Sequence, residues 1–149
     1  MTLTNIIQLI TSLVGTLCFG ILFNIRGLKL IFSAIGGFLS WGLFLIFSMI
    51  ISSEPINYFI VAATVSLYSE IMARILKTPA APIVTASLIP LIPGGSLYYT
   101  MAYAFESDLE GFLEKAVSTL KLASALALGI IVVTTLSQLL FRRIKNTKK

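Results

Sequence analysis

The chain has 149 residues, of which 57% are hydrophobic and only 11% are charged, and its formal net charge is +5. This composition excludes an ordinary soluble domain and indicates an integral membrane protein. The sequence contains no histidine and one cysteine, Cys18, which excludes histidine-based catalytic triads, histidine metal sites and an intrachain disulfide. We therefore expect no metal, no cofactor and no enzymatic activity.

Five stretches of the sequence are long and apolar enough to cross a membrane. They are residues 3–25, 30–53, 56–76, 82–105 and 116–141. At about 1.5 Å per residue, a helix over each stretch spans a hydrocarbon core about 30 Å thick. The first stretch lacks the basic region of a signal peptide, so we interpret it as a retained span. The sequence thus predicts an all-α membrane protein with five transmembrane helices in a single domain, residues 1–149.

Most basic residues fall on one side of this five-span layout. They are Arg26, Lys29, Arg74, Lys77, Arg142, Arg143, Lys145, Lys148 and Lys149. The opposite side receives Glu54 and an acidic turn with Glu106, Asp108, Glu110 and Glu114. Because basic loops stay in the cytoplasm, this asymmetry predicts an N-terminus outside and a C-terminus inside. We interpret the basic C-terminus as an anchor on anionic membrane lipid and expect no nucleic-acid partner.

Small residues recur every four positions in several spans. Examples are Ser12, Thr16 and Gly20 in the first span, Ser33 and Gly37 in the second, and Ala125 and Gly129 in the fifth. Such faces let helices approach closely, either inside the protein or at a subunit interface. Before the fifth span, Ser107 and Glu110 fit a capping box, which predicts a short surface helix there.

Glu70 and Arg74 lie inside the third span at a spacing that places them on one helix face. Charged side chains at such a depth are costly and often functional. One interpretation is a pair that neutralises itself at the cytoplasmic end of the span. The other is that Glu70 faces a pathway through the membrane and exchanges a proton, with Arg74 as its counter-charge. From the sequence, Glu70 and Arg74 have either a role in proton coupling or gating or a purely structural role.

The fourth span is interrupted within residues 90–95, where two prolines and two glycines occur together. A helix loses hydrogen bonds at each proline, and lipid tolerates no unsatisfied backbone, so we expect the break to line a protein-enclosed cavity. Freed amides of the following half-helix and nearby hydroxyls are suited to hold a carboxylate. The predicted substrate-binding residues are Pro90, Pro93, Gly94, Gly95, Ser96, Tyr98, Tyr99 and Thr100. The alternative is a kinked helix with a structural role.

Two motifs carry a family resemblance. The first comprises Glu70, Ala73, Arg74, Lys77, Pro79 and Ala80, and the second comprises Pro90, Pro93, Gly94, Gly95 and Tyr98. On these residues, the sequence resembles the threonine/serine exporter family, specifically the small membrane subunit of its two-component branch. The full exporter looks like ten membrane helices, of which this chain resembles the C-terminal five. The resemblance therefore implies a larger membrane subunit that carries the other helices.

The same resemblance implies export of small carboxylate metabolites across the inner (plasma) membrane. The substrates are threonine and serine in the fused exporters and succinate-like dicarboxylates in the two-component ones. The separation of this chain from its other half favours a dicarboxylate, which needs a second positive group from Arg74 or from the partner. Two alternatives remain: a structural or assembly subunit, and a channel-like homo-oligomer, neither with its own substrate site.

Overall fold

The computed structural model describes the backbone of residues 3–147 and the side chains up to residue 139. All regular secondary structure in this part of the chain is helical, with no strand. The helices are α1 (Leu3–Leu22), α2 (Leu28–Ser48), α3 (Glu54–Ile75), α4 (Ala81–Leu88), α5 (Gly94–Phe105) and α6 (Leu109–Thr147), and a 3₁₀ turn (Ile89–Leu91) follows α4. The predicted all-α fold is thus confirmed.

Four helical segments are long and apolar enough to cross a membrane by themselves. They are Leu3–Leu22, Leu28–Ser48, Glu54–Ile75 and Leu109–Leu139. Residues Ala81–Leu91 and Gly94–Phe105 make a fifth span if they are taken together, and they are bent by 62° at the break between them. The predicted five-span layout with a broken fourth span agrees with this arrangement, whereas the orientation of the termini stays a prediction.

Proline chemistry accounts for the break after α4. Pro90 lacks the N–H group that would continue the α-helix, and the chain tightens into the 3₁₀ turn around it. Ile92 then adopts extended backbone (φ −62°, ψ 127°), as is usual for a residue before proline. Pro93 is the N-cap residue of α5, so the second half-helix starts in a new direction.

The helix α6 differs from the expected surface helix followed by a separate span. It runs without interruption for 39 residues, so its amphipathic first turns and its membrane span are one rod. Asp108, and not Ser107, caps it: Asp108 Oδ1 accepts a hydrogen bond from Gly111 N at 3.1 Å. Ser107 has a φ of 59° and belongs to the turn that joins α5 to α6.

Small residues bring the helices close together. A Cβ atom on Gly37 would lie 2.7 Å from the Thr16 Cβ, so α1 and α2 touch at this point. A Cβ atom on Gly129 would lie 2.7 Å from the Phe59 carbonyl oxygen, which brings α6 against the backbone of α3. These positions of the small-residue faces are therefore used for packing inside the chain.

The central helix α2 packs against α1, α3 and α4, and α3 packs against α6. A buried apolar cluster lies among α3, α4, the 3₁₀ turn and α6. Its members are Tyr58, Val61, Ala62, Val65, Val84, Leu88, Leu91 and Leu122. In contrast, α5 packs mainly against α6 and contains no buried residue.

Candidate functional site

A cleft of about 640 Å³ lies between α3, α4 and α6. We call it the Glu70 cleft. Its walls are mostly apolar, with polar groups at four positions: Glu70, Thr85, Thr134 and Gln138. Among the described residues that line it, Glu70 alone carries a charge. Pro79 and Ala80 lie at one end of the cleft, and Ile92 of the break lies in its wall.

One carboxylate oxygen of Glu70 is the centre of a hydrogen-bonded group that joins α3 to α6. Arg74 Nη2 donates to Glu70 Oε2 at 3.1 Å, and Ser137 Oγ donates to the same oxygen at 3.0 Å. Arg74 Nη2 also donates to Ser137 Oγ at 2.7 Å. The Glu70 side chain is 12% exposed and that of Arg74 is 35% exposed. The predicted Glu70–Arg74 pair is therefore formed, and Ser137 completes it.

The ion pair with Arg74 occupies only one of the two carboxylate oxygens of Glu70. Both hydrogen bonds to its carboxylate go to Oε2, and Oε1 has no hydrogen-bond partner among the described residues. Since Glu70 lines the cleft, this oxygen is suited to accept a hydrogen bond from a solute. The two interpretations of Glu70 are thus compatible, because the residue both neutralises Arg74 and faces a cavity.

The predicted substrate-binding residues lie on and beyond the break and are not gathered around Glu70. Pro90 is half-buried and lines a second, smaller cleft on the α1 side. Gly94 and Gly95 are exposed, and a Cβ atom on either would meet no atom within 4 Å. Pro93 and Ser96 are half-buried.

The aromatic and hydroxyl residues of α5 divide between two faces. Tyr98 and Tyr99 point outward, with exposures of 69% and 54%, and their rings meet edge to face at 5.5 Å. Thr100 points toward α6: its Oγ1 donates to the Ser96 carbonyl at 2.8 Å and lies 3.3 Å from Thr119 Oγ1. Thr100 thus helps to join α5 to α6.

The sequence predicts free amides at residues 95–97, and the amino end of α5 leaves the first two of these without a helical acceptor, whereas Leu97 N is bonded. The first hydrogen bond of this helix runs from Leu97 N to the Pro93 carbonyl at 3.1 Å. The N–H groups of Gly95 and Ser96 precede it and therefore have no acceptor in the helix. This end of α5 is open, because Gly94 and Gly95 have space around them.

Sequence reasoning missed four polar residues of the site: Thr85, Thr134, Ser137 and Gln138. The signal was a cluster of polar residues at 134–138, near the cytoplasmic end predicted for the fifth span and close to the predicted depth of Glu70. Intramembrane polar residues at matched depth on two helices are candidates for contact. The spacing of residues along one helix, however, does not show which residues of another helix they contact.

Comparison with known proteins is informative at the level of the family. The family model "Threonine/Serine exporter, ThrE" matches residues 8–136, which is most of the chain and includes Glu70, Arg74 and the break. No curated protein and no solved structure matches the chain. The match confirms the resemblance that the two sequence motifs indicate: this chain belongs to the threonine/serine exporter family.

Proposed function

We propose that this multi-pass membrane protein is a subunit of a secondary transporter that exports small carboxylate metabolites across the inner membrane. Membership of the exporter family supports a transport role and favours it over enzymatic activity. The observation that carries the proposal is the Glu70 cleft, which extends from Pro79 and Ala80 to Ile92 at the break. A cavity that ends at a discontinuous helix is typical of transporter substrate sites.

The proposed orientation makes the Glu70 cleft the cytoplasmic entrance. Its end at Pro79 and Ala80 follows Lys77 and belongs to the side that carries most basic residues. Basic loops favour the cytoplasm. A solute leaving the cell then enters at the start of α4 and reaches Glu70 and the break from inside.

The polar groups of the cleft favour a zwitterionic substrate such as threonine or serine. Oε1 of Glu70, which has no hydrogen-bond partner among the described residues, matches an ammonium group. Thr85, Thr134 and Gln138 offer partners for a hydroxyl and a carboxylate. A dicarboxylate brings further negative charge beside Glu70, whose own charge is balanced by Arg74, so it needs a further positive group from the partner. A succinate-like dicarboxylate is the alternative substrate for the same cleft.

A larger membrane subunit is the partner that completes the proposed site. Gly94, Gly95, Tyr98 and Tyr99 lie at an open surface of this chain, so a substrate held by them needs a second wall. In the proposed complex, helices of the partner cover this surface of α5. The predicted residues Pro90, Pro93, Gly94, Gly95, Ser96, Tyr98, Tyr99 and Thr100 then form this chain's side of the substrate path.

Proteoliposome transport tests the proposal. Labelled threonine, serine and succinate are offered under an imposed proton gradient to vesicles that contain this chain with or without its larger partner. We expect flux of one of these solutes only when both subunits are present. Flux with this chain alone would favour a channel-like homo-oligomer, and a stable complex without flux would favour an assembly role.

A further inference from the structure

A second cleft lies on the other side of the break, between α1, α2 and the 3₁₀ turn. We call it the Thr11 cleft. Its volume is about 240 Å³, and its lining includes Gln8, Thr11, Ser12, Gly15, Trp41 and Pro90. At about 30 Å³ for a water molecule in the liquid, this space is equivalent to about eight waters. That is enough for one small metabolite.

The two clefts are lined by different residues of the same interrupted segment. Ile92 lines the Glu70 cleft, whereas Ile89 and Pro90 line the Thr11 cleft. Between them lies Leu91, which is 1% exposed and belongs to the buried apolar cluster. The short turn that joins the half-helices and the residue after it thus contribute to the walls of both cavities.

The two clefts also differ in depth. The Glu70 cleft begins at Pro79 and Ala80, beside the start of α4. With a rise of about 1.5 Å per residue, Gln8 lies about 21 Å from the α1 end at Leu22, and Trp41 lies about 20 Å from the α2 start at Leu28. Because a short loop joins these two helix ends, the Thr11 cleft reaches toward the opposite membrane surface.

The hydrogen bonds in the Thr11 cleft define what it is suited to bind. Thr11 Oγ1 donates to the Ile7 and Gln8 carbonyls at 3.0 and 2.9 Å, and Ser12 Oγ donates to the Leu9 carbonyl at 2.8 Å. Their hydroxyl hydrogens are used in this way, so the oxygens act as acceptors toward a solute. The Gln8 amide accepts a long hydrogen bond of 3.4 Å from Trp41 Nε1, and its NH₂ group remains a donor.

We propose that the Thr11 cleft is a second solute compartment, on the exit side of the 3₁₀ turn, for a small polar metabolite that carries an ammonium or hydroxyl group. This inference rests on the proposed export function. The hydroxyl oxygens of Thr11 and Ser12 accept hydrogen bonds from the solute, and the Gln8 amide donates to its carboxylate. The cleft has no charged lining residue in the described part of the chain, so it binds more weakly than the Glu70 cleft, as release requires.

Cysteine labelling tests whether water and solute reach this compartment. In a Cys18→Ser background, Thr11→Cys is compared with Val14→Cys, a position on the same helix that is also exposed but does not line the cleft. Both variants are expressed with the larger subunit in cells and treated from outside with a membrane-impermeant thiol reagent. Thiolates form in water and not in lipid, so we expect Thr11→Cys to react about tenfold faster or more. Threonine should slow this reaction, and succinate should slow it less.

Thr85→Cys reports on the other cleft. We expect it to react from the cytoplasmic side, in inverted vesicles, and not from outside. The proposal of a second compartment would be overturned if Thr11→Cys and Val14→Cys reacted at equal rates. It would also be overturned if the cysteines in both clefts were labelled from the same side only. Normal transport with no solute protection of Thr11→Cys would overturn it too. Protection without transport would contradict the proposed export function and leave the compartment supported.

Filling the cleft gives an independent test. A Cβ atom on Gly15 would meet no atom within 4 Å, and Gly15 lines the cleft, so we expect the side chain of Gly15→Leu to occupy the cleft. We expect loss of threonine flux with normal amounts of the assembled complex, while the control Val14→Leu keeps its flux. Wild-type flux in Gly15→Leu would contradict a solute path through this cleft.

Discussion

Glu70 joins α3 to α6 through a single carboxylate oxygen. A charge within a membrane span is costly unless it is paired and hydrogen-bonded, and here Arg74 supplies the counter-charge while Ser137 bridges to α6. The i, i+4 spacing made the Arg74 contact predictable. The Ser137 contact was not predictable from spacing, because Ser137 lies 67 residues away in the sequence.

Ser137→Ala removes both hydrogen bonds of this bridge. Because both go to charged groups, we expect the variant to lose about 1.5 to 3 kcal/mol of stability. The measurement is thermal or denaturant unfolding of the purified complex in detergent. Ser124→Ala is the matched control on α6, since Ser124 Oγ donates only to the Lys121 carbonyl of its own helix at an exposed position. Equal stability of the two variants would contradict the bridge.

Glu70→Gln tests the proposed proton coupling. The amide keeps the shape and a hydrogen-bond acceptor but cannot bind and release a proton. We expect transport that no longer responds to an imposed pH gradient, in a protein that remains folded. The measurement is solute flux in proteoliposomes at several gradients, with Glu54→Gln, at the exposed start of the same helix, as the control. An unaltered pH response in Glu70→Gln would leave Glu70 with a structural role.

At the scale of single elements, the broken fourth span was the most predictable feature. Pro90 and Pro93 remove hydrogen-bond donors wherever they occur, so the interruption follows from local chemistry. Its angle of 62° and the burial of Leu91 depend on the helices that surround it. The sequence predicted a cavity at the break. It did not predict that α3 and α6 supply the largest polar side chains of the Glu70 cleft, Glu70 and Gln138, because this depends on how the helices pack.

Two glycines on different helices, Gly129 and Gly94, should differ in their response to substitution by alanine. Gly129→Ala brings a methyl group to 2.7 Å from the Phe59 carbonyl oxygen, and neither backbone can move without separating α3 from α6. We expect a loss of about 1 to 3 kcal/mol of stability. Gly94→Ala meets no atom within 4 Å and serves as the control, with stability close to wild type. Unfolding of both purified variants in detergent measures the difference, and equal stabilities would contradict the close α3–α6 contact.

Gly95→Leu separates the transport role of the break from an assembly role. A Cβ atom on Gly95 would meet no atom within 4 Å, so we expect the chain itself to fold normally. On the proposed function, we expect flux to be abolished while the two subunits still purify together. Co-purification and proteoliposome flux are the measurements. Loss of co-purification would instead favour the view that the break fits a partner helix.

For the whole molecule, the exposed surface of α5 is the feature that the proposed partner explains. Tyr98, Tyr99 and Phe105 are largely exposed, and α5 has no buried residue, whereas α1 to α4 each have several. In the proposed complex, Phe105→Cys becomes protected from a thiol reagent when the larger subunit is present. Phe19→Cys, exposed on α1, is the control and should react equally with and without it, both in a Cys18→Ser background. Equal reactivity of Phe105→Cys in both preparations would contradict a partner that covers α5.

The sequence by itself determined the membrane class, the approximate helix positions, the break and the family. Hydropathy, proline chemistry and short motifs are local properties, so they can be read without knowing how the helices pack. Only the tertiary structure decided that Ser137 meets Glu70, that α6 is one continuous rod, and that two clefts flank the 3₁₀ turn. These features depend on the rotation and depth of each helix against its neighbours, which are set by side-chain packing between residues far apart in the chain.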